Sequence, residues 1–388
     1  MTTARLTSRE WIERLIAFPT VSRDSNLALI ECVREYLDDF GIASRLVYDE
    51  SGGKANLYAT LGPQDRPGIM LSGHTDVVPV DGQEWTSDPF KLVERDGRLY
   101  GRGASDMKSF IAIVLAAVPT FLERPLKTPL HLAFSYDEEV GCLGVRRLIA
   151  QFAEMPVRPA FCIVGEPTGM QVARGHKGKL SHRCQVRGLE SHSALTHRGV
   201  NAVEIAAELI VYLRRMAQRL KERGPHAEGF DPPYTTVHTG VVHGGTQLNI
   251  VPRDCRFDFE FRPLPSQDPR VLFEEIKAFA ERELVPAMKA VTEDAGIAWQ
   301  KLSEFPGLGT DEDAEVTRLV KALAGANRTG MISFGSEAGL FAQAEIPAVV
   351  CGPGSIEQAH KPDEWIALDQ IARCEGFMER LASYVVHR

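Results

Sequence analysis

Two histidines and several carboxylates stand out in this chain because each lies close behind an apolar run. "PGIMLSG" is followed by "HTDVVPV", which supplies His74 and Asp76, and "LHLAFSY" by "DEEVG", which supplies Asp137, Glu138 and Glu139. Glu166 follows "FCIVG", and His360 follows "IPAVVCGPGSIEQA". Asp106 sits in "YGRGASDMKS", just ahead of a long helical pattern. One at a time, these residues have ordinary explanations: a strand-end histidine, a helix N-cap, two turn acids and a loop histidine. Together they form an imidazole and carboxylate set with no thiolate. Such a set suits zinc, cobalt or manganese, and it exceeds the four ligands of one structural zinc. Two close cations need an anion between them, and Asp106 is the expected bridge. Residues i and i+2 of a strand point the same way, so Asp76 can lie near the His74 imidazole and orient it.

The elements that must position these groups read as an α/β fold. In an open α/β sheet, working residues collect beyond the carboxyl ends of the strands. "PGIMLSG", "PLHLAFSY" and "PAFCIVGEP" read as buried strands, and "MKSFIAIVLAAVPTFL" and "LGVRRLIAQFA" as helices between them. "LIECVREYLDDFG" reads as a helix closed by Gly41, and "TSRE" places Thr7 and Glu10 at the spacing of a capping box. The pattern then changes. "KLSHRCQVRGL", "YTTVHTGVVHGG" and "CRFDFEFRPL" alternate as half-exposed antiparallel strands do, with helical segments near 200–222 and 269–283 among them. The α/β pattern returns from about 312 with "EDAEVTRLVKALAG", "IPAVVCG" and a last helix. A catalytic domain at 1–179 and 291–388, interrupted by an inserted α+β domain at 180–290, is therefore expected.

Composition narrows the partners. The chain has 388 residues, 44% of them hydrophobic and 25% charged, with a net charge of -8 and no basic tract. That argues against nucleic acid or an anionic membrane as the main partner. The seven cysteines are scattered without a C-x-x-C pair, as expected for reduced thiols in the cytoplasm. The start of the chain has no signal-peptide apolar region, and the run at 110–122 contains Pro119 and is too short to span a bilayer.

The motifs "SGHTDVVPV", "LYGRGASDMKS", "DEEVGCLG", "VGEPT" and "GSIEQAHKPDEW" occur in order across essentially the whole chain. In this the sequence resembles the dizinc metallopeptidase family that includes acetylornithine deacetylase, succinyl-diaminopimelate desuccinylase, aminoacylase and the glutamate carboxypeptidases. The resemblance implies a zinc-peptidase-like catalytic domain, with a mixed sheet covered by helices, and an inserted lid and dimerisation domain. It also implies two divalent metal ions, zinc or else cobalt. His74, Asp106 and Glu166 would hold one ion, and Asp106, Glu139 and His360 the other. Glu138 would be the general base, and Asp76 the partner of His74. His192, in "GLESHSAL", would stand over the substrate carbonyl, although the family more often has Gly where this chain has Ser191.

Within the family, "EPTGMQVARGHKGKL" and "HGGTQLNIVP" look most like the acetylornithine deacetylase branch. The desuccinylase branch usually carries an arginine-rich stretch in place of "RGHKG", and a Ser-Gly-Thr-Ser motif in place of "FGSEAG". By the same likeness, Arg262 and Asn249 are candidates for gripping a substrate α-carboxylate, since a guanidinium pairs a carboxylate bidentately. Glu337 is a candidate contact for the ornithine ammonium. The implied reaction is deacetylation of N2-acetyl-L-ornithine in arginine synthesis. Desuccinylation of a diaminopimelate derivative and deacylation of another N-acyl amino acid are the alternatives. A non-catalytic protein on this fold would show a lost ligand or base, and none is missing. A homodimer is expected through an unpaired strand of the insert. His176, His182, His238 and His243 read as structural.

Overall fold

The structure, a computed structural model, describes residues 5–388; residues 1–4, the start of the expected catalytic domain, lie outside the described residues. The chain forms two compact units. The larger takes residues up to Gly175, Leu308–Ile332 and Ser336–Arg388, and the smaller takes His176–Gly307 and Ser333–Gly335. No helix among the described residues is long and apolar enough to cross a membrane. All seven cysteines are unpaired and buried.

The larger unit is built on a mixed nine-stranded sheet. Its centre is four neighbouring parallel strands in the order Leu130–Ser135, Ile69–His74, Phe161–Pro167 and Ala348–Gly352. Every residue of these four strands is buried, which a sheet achieves only when both faces are covered. Beyond Leu130–Ser135 the sheet turns antiparallel through Ala55–Leu61 and Ser44–Tyr48.

The helix Lys108–Phe121 is almost wholly buried and packs with Ser8–Ile16 and Leu368–His387. It seats closely because the strands offer glycine beneath it. A Cβ on Gly165 would lie 2.1 Å from the Phe110 ring, and one on Gly73 would lie 2.8 Å from Met107 Cε. This seating sets the start of the helix, and therefore Asp106, against the strand ends. The Thr7–Glu10 capping box forms as read: Thr7 Oγ1 accepts from the Glu10 amide, and Glu10 accepts from the Thr7 amide at 2.7 Å.

The smaller unit is a four-stranded antiparallel sheet in the order Thr236–Gly244, Asp254–Arg262, Lys179–Arg187 and Gly296–Phe305. Cys255, Phe257, Phe259 and Phe261 alternate into its core and meet Leu209 and Leu213 of the helix Ala202–Arg223 and Ile276 of Pro269–Phe279. The sequence boundary at 290 is corrected here. Gly296–Phe305 pairs with Lys179–Arg187 and forms an edge of the small sheet, so that unit runs on to Gly307. A bulge between Lys301 and Ser303 breaks the two-residue period of this strand and hides its alternation.

Candidate metal centre

Four parallel strands end at the same edge of the larger unit's sheet, and the chemistry gathers there. His74 is the last residue of its strand, Glu166 lies near the end of another, and the Asp137–Glu139 turn follows the third. The fourth leads into the loop that carries His360. Asp106 does not cap the helix that follows it, because Met107 holds the N-cap position without a side-chain bond.

The carboxylate of Asp106 stands between the two imidazoles. Its Oδ1 lies 3.0 Å from His74 Nε2, and its Oδ2 lies 3.3 Å from His360 Nε2. Glu166 Oε1 is 3.7 Å from His74 Nε2, and Glu139 Oε2 is 3.1 Å from His360 Nε2. Ligand atoms of His74, Asp106 and Glu139 converge within 4.8 Å of one another, as do those of His74, Glu138 and Glu166. Either group could hold a metal ion.

Asp76 does more than its spacing suggests. The tight bond to the His74 ring comes from the Asp76 main-chain oxygen, 2.9 Å from Nδ1, while its carboxylate stands 3.5 Å away. That carboxylate accepts from the Ser22 hydroxyl at 2.6 Å and from the amides of Glu138 at 3.1 Å and Glu139 at 3.3 Å. One residue thus fixes the imidazole with its backbone and the two-glutamate turn with its side chain. From the outer side, Asp137 is held by Lys54 Nζ at 2.6 Å. The Cys142 thiol donates to Glu138 Oε1 at 3.3 Å.

The electrostatics are those of a site with too much negative charge for its surroundings. Burial opposes a charge on His74, yet Asp106, Asp76, Glu166 and Glu138 outweigh it and hold the imidazole well above its ordinary pKa. Bonds to Asp106 and Glu139 push His360 up to about 10. Burial and the Asp106 charge push Glu139 up to about 7, and Glu138 and Glu166, desolvated among other carboxylates, are raised well above the usual range. Cationic imidazoles and proton-holding carboxyls crowded together are what divalent cations resolve. Glu139 Oε1 is buried and has no hydrogen-bond partner among the described residues, as a spare ligand oxygen would be. The oxygen and nitrogen donors fit a pair of divalent cations.

A carboxylate that turns one oxygen to each of two imidazoles, ringed by further acids at a sheet edge, has the form of a two-cation hydrolytic site. Residues 70–384 match Peptidase family M20/M25/M40, and the chain belongs to that family. It is 36% identical over 380 residues to the acetylornithine deacetylase of Proteus mirabilis, covering 96% of this chain and 95% of that protein. Its fold resembles that of an M20 family metallo-carboxypeptidase from Sulfolobus solfataricus, with a TM-score of 0.76 at 19% identity, covering 97% of this chain and 98% of the other. It also resembles a dinuclear metal-binding peptidase of the M20 family from Bacillus subtilis, with a TM-score of 0.68 at 16% identity, covering 98% and 97%.

Of the remaining candidates, His192, Asn249 and Arg262 lie in the smaller unit and Glu337 in the larger. His192 and Asn249 meet within the smaller unit, where the Ser193 amide donates to the Asn249 carbonyl at 3.1 Å and His192 bridges to Ile250. His192 Nδ1 accepts from the Ala194 amide at 3.1 Å, so the neutral ring carries its proton on Nε2 and can donate it outward. Arg262 is already paired: its Nε and Nη2 meet the two Glu260 oxygens at 2.9 and 3.3 Å. Glu337 is 1% exposed, and its carboxylate accepts from Ser135 at 2.5 Å and Ser72 at 3.5 Å. In this structure that carboxylate is turned to hydroxyl donors at the strand ends, close enough to His74 and Asp76 for their charges to act on it. Arg102 and Glu364 were not singled out from the sequence although both stand inside the quoted motifs, since nothing local to them signals that their charges are buried.

Proposed function

We propose that this chain hydrolyses the acetyl amide of N2-acetyl-L-ornithine, releasing ornithine and acetate in the cytoplasm. The observation that carries the chemistry is the Asp106 carboxylate placed between His74 and His360 with Glu139 and Glu166 beside them. The choice of acyl group is supported by the near full-length similarity to acetylornithine deacetylase from Proteus mirabilis.

His74, Asp106 and Glu166 would hold one ion, and Asp106, Glu139 and His360 the other, with zinc or cobalt as the metal. When bound, the pair supplies Lewis-acid polarisation of the amide carbonyl and makes water acidic near neutral pH. Glu138 takes the proton of the attacking water and delivers it to the leaving amine. Asp76 keeps His74 and the Glu138–Glu139 turn in register, so the base and its neighbouring ligand diverge from fixed positions. His192, from this chain or from a second copy, donates its Nε2 proton to the oxygen that becomes negative as the carbonyl is attacked. Arg262 exchanges Glu260 for the substrate α-carboxylate, with Asn249 alongside. Dimerisation would use the outer strand Thr236–Gly244, whose Val241 and Val242 are 43% and 52% exposed.

The test is kcat/KM on acetylornithine and on succinyl-diaminopimelate. A preference for the acetyl substrate of about 10²-fold or more is expected, and a preference for the succinyl substrate would overturn the assignment.

A further inference from the structure

Two loops deliver two of the candidate ligands, and neither is held by regular structure. Asp106 ends the turn 101–106, and His360 stands in a loop with left-handed backbone, φ 63°, which few residues other than glycine adopt unaided. Such positions need outside support, and a single buried network gives it to both.

Its centre is Glu364, 1% exposed. One carboxylate oxygen accepts from the amides of Ser105 at 2.8 Å and Asp106 at 3.0 Å. The other accepts from the Gly103 amide at 3.1 Å and from Arg102 Nη1 at 2.7 Å. Arg102, also 1% exposed, passes the connection on. Its Nη1 donates to the Lys361 carbonyl at 3.3 Å, and its Nη2 donates to Gln83 Oε1 at 2.6 Å. Gln83 in turn donates to the His360 carbonyl at 3.0 Å. Ser105 adds a staple: its hydroxyl donates to the Ser355 carbonyl and accepts from the Ser355 amide, both at 3.0 Å.

A buried ion pair is weak evidence for stability, because desolvation cancels most of its attraction. The Arg102–Glu364 pair therefore asks for another reason. Three backbone amides of a turn without ladder partners converge on one carboxylate, and a buried carboxylate facing four donors is fixed in place. We propose that Glu364 is a positioning residue for the metal centre, setting Asp106 directly and His360 through Arg102 and Gln83. The two-cation spacing is then fixed by protein bonds before any cation arrives. This rests on the dimetal reading above.

The test is titration of metal-free protein with cobalt(II), followed by visible absorption and by the number of equivalents bound. Wild type should take up two equivalents. Glu364→Gln places an amide N–H₂ where an acceptor is needed, and should weaken at least one equivalent by about 10–100-fold with a changed cobalt spectrum. Gln83→Ala, at a half-buried site, removes the link to the His360 loop and the acceptor for Arg102 Nη2 and Trp85 Nε1 while leaving the Glu364 bonds to the Asp106 turn, and should give a smaller loss confined to one equivalent. A purely structural role would lower the unfolding midpoint of the metal-free protein while leaving affinity and spectrum of the folded protein as in wild type, and that result overturns the proposal. Should Glu364→Gln fail to fold, Gln83→Ala decides alone: weakened uptake supports the network, and unchanged uptake overturns it. If wild type itself takes up no cobalt, the dimetal reading falls and this proposal with it. Two equivalents bound equally by wild type and both variants reject the positioning role only.

Discussion

The two units treat their charged residues in opposite ways. In the larger, Asp106, Glu166 and His74 are buried together, and Glu139 keeps a buried oxygen without a partner among the described residues. In the smaller, several polar side chains are answered locally: the candidate Arg262 by Glu260, Arg183 by Asp258 at 2.8 Å on both arms, and the structural His182 by stacking on Phe273 at 3.8 Å. Buried charge is costly unless it is paired, neutralised by a shifted protonation, or completed by a bound cation. The difference supports the larger unit as the proposed place for the cations.

The sharpest way to break this contrast is Glu138→Gln. If Glu138 is a base and the cluster otherwise binds the cations, turnover should drop by about 10²–10⁴-fold while two ions per chain remain. Near-normal kcat in this variant would place the base elsewhere. His360→Ala asks whether the exposed side of the cluster matters as much as the buried side. Metal content should fall towards one ion per chain, and two tightly held ions would remove His360 from the ligand set.

The smallest effect tests the smaller unit. Burial, helped by the Lys301 charge, pushes the His182 imidazole down to about 4, below its ordinary 6.5. The folded chain therefore binds fewer protons than the unfolded chain between those values. The stability from neutral His182 is complete above about 6.5 and is lost as pH falls towards 4. His182→Phe keeps an aromatic ring against Phe273 and removes the titration. Between about pH 8 and about pH 5.5, metal-free wild type should lose roughly 1 kcal/mol more than the variant in urea unfolding. Equal slopes would show that His182 is not held neutral.

Much of the larger unit was legible in the sequence, because buried parallel strands are written as short continuous apolar runs. Where such a run stops, the next polar residue sits at the sheet edge, so His74, Glu139 and Glu166 could be placed without coordinates. The Thr7–Glu10 cap is similarly local. The rest depends on contacts between distant segments. Nothing near Glu364 announces that its partners are amides some 260 positions earlier. Asp76 lies beside the His74 ring as its spacing suggests, but that its carboxylate also reaches the amides of another turn is not written near it. The end of the insert was misplaced because a bulge interrupts the one pattern that would have revealed the strand Gly296–Phe305.

The central claim is that the cluster around Asp106 is a two-cation hydrolytic centre. It is tested most directly by elemental analysis of purified protein together with an acetylornithine hydrolysis assay on the same sample, before and after a chelator. The expected result is two divalent ions per chain, hydrolysis that disappears when they are removed, and recovery on adding zinc or cobalt back. Full hydrolysis by protein stripped of metal would contradict it.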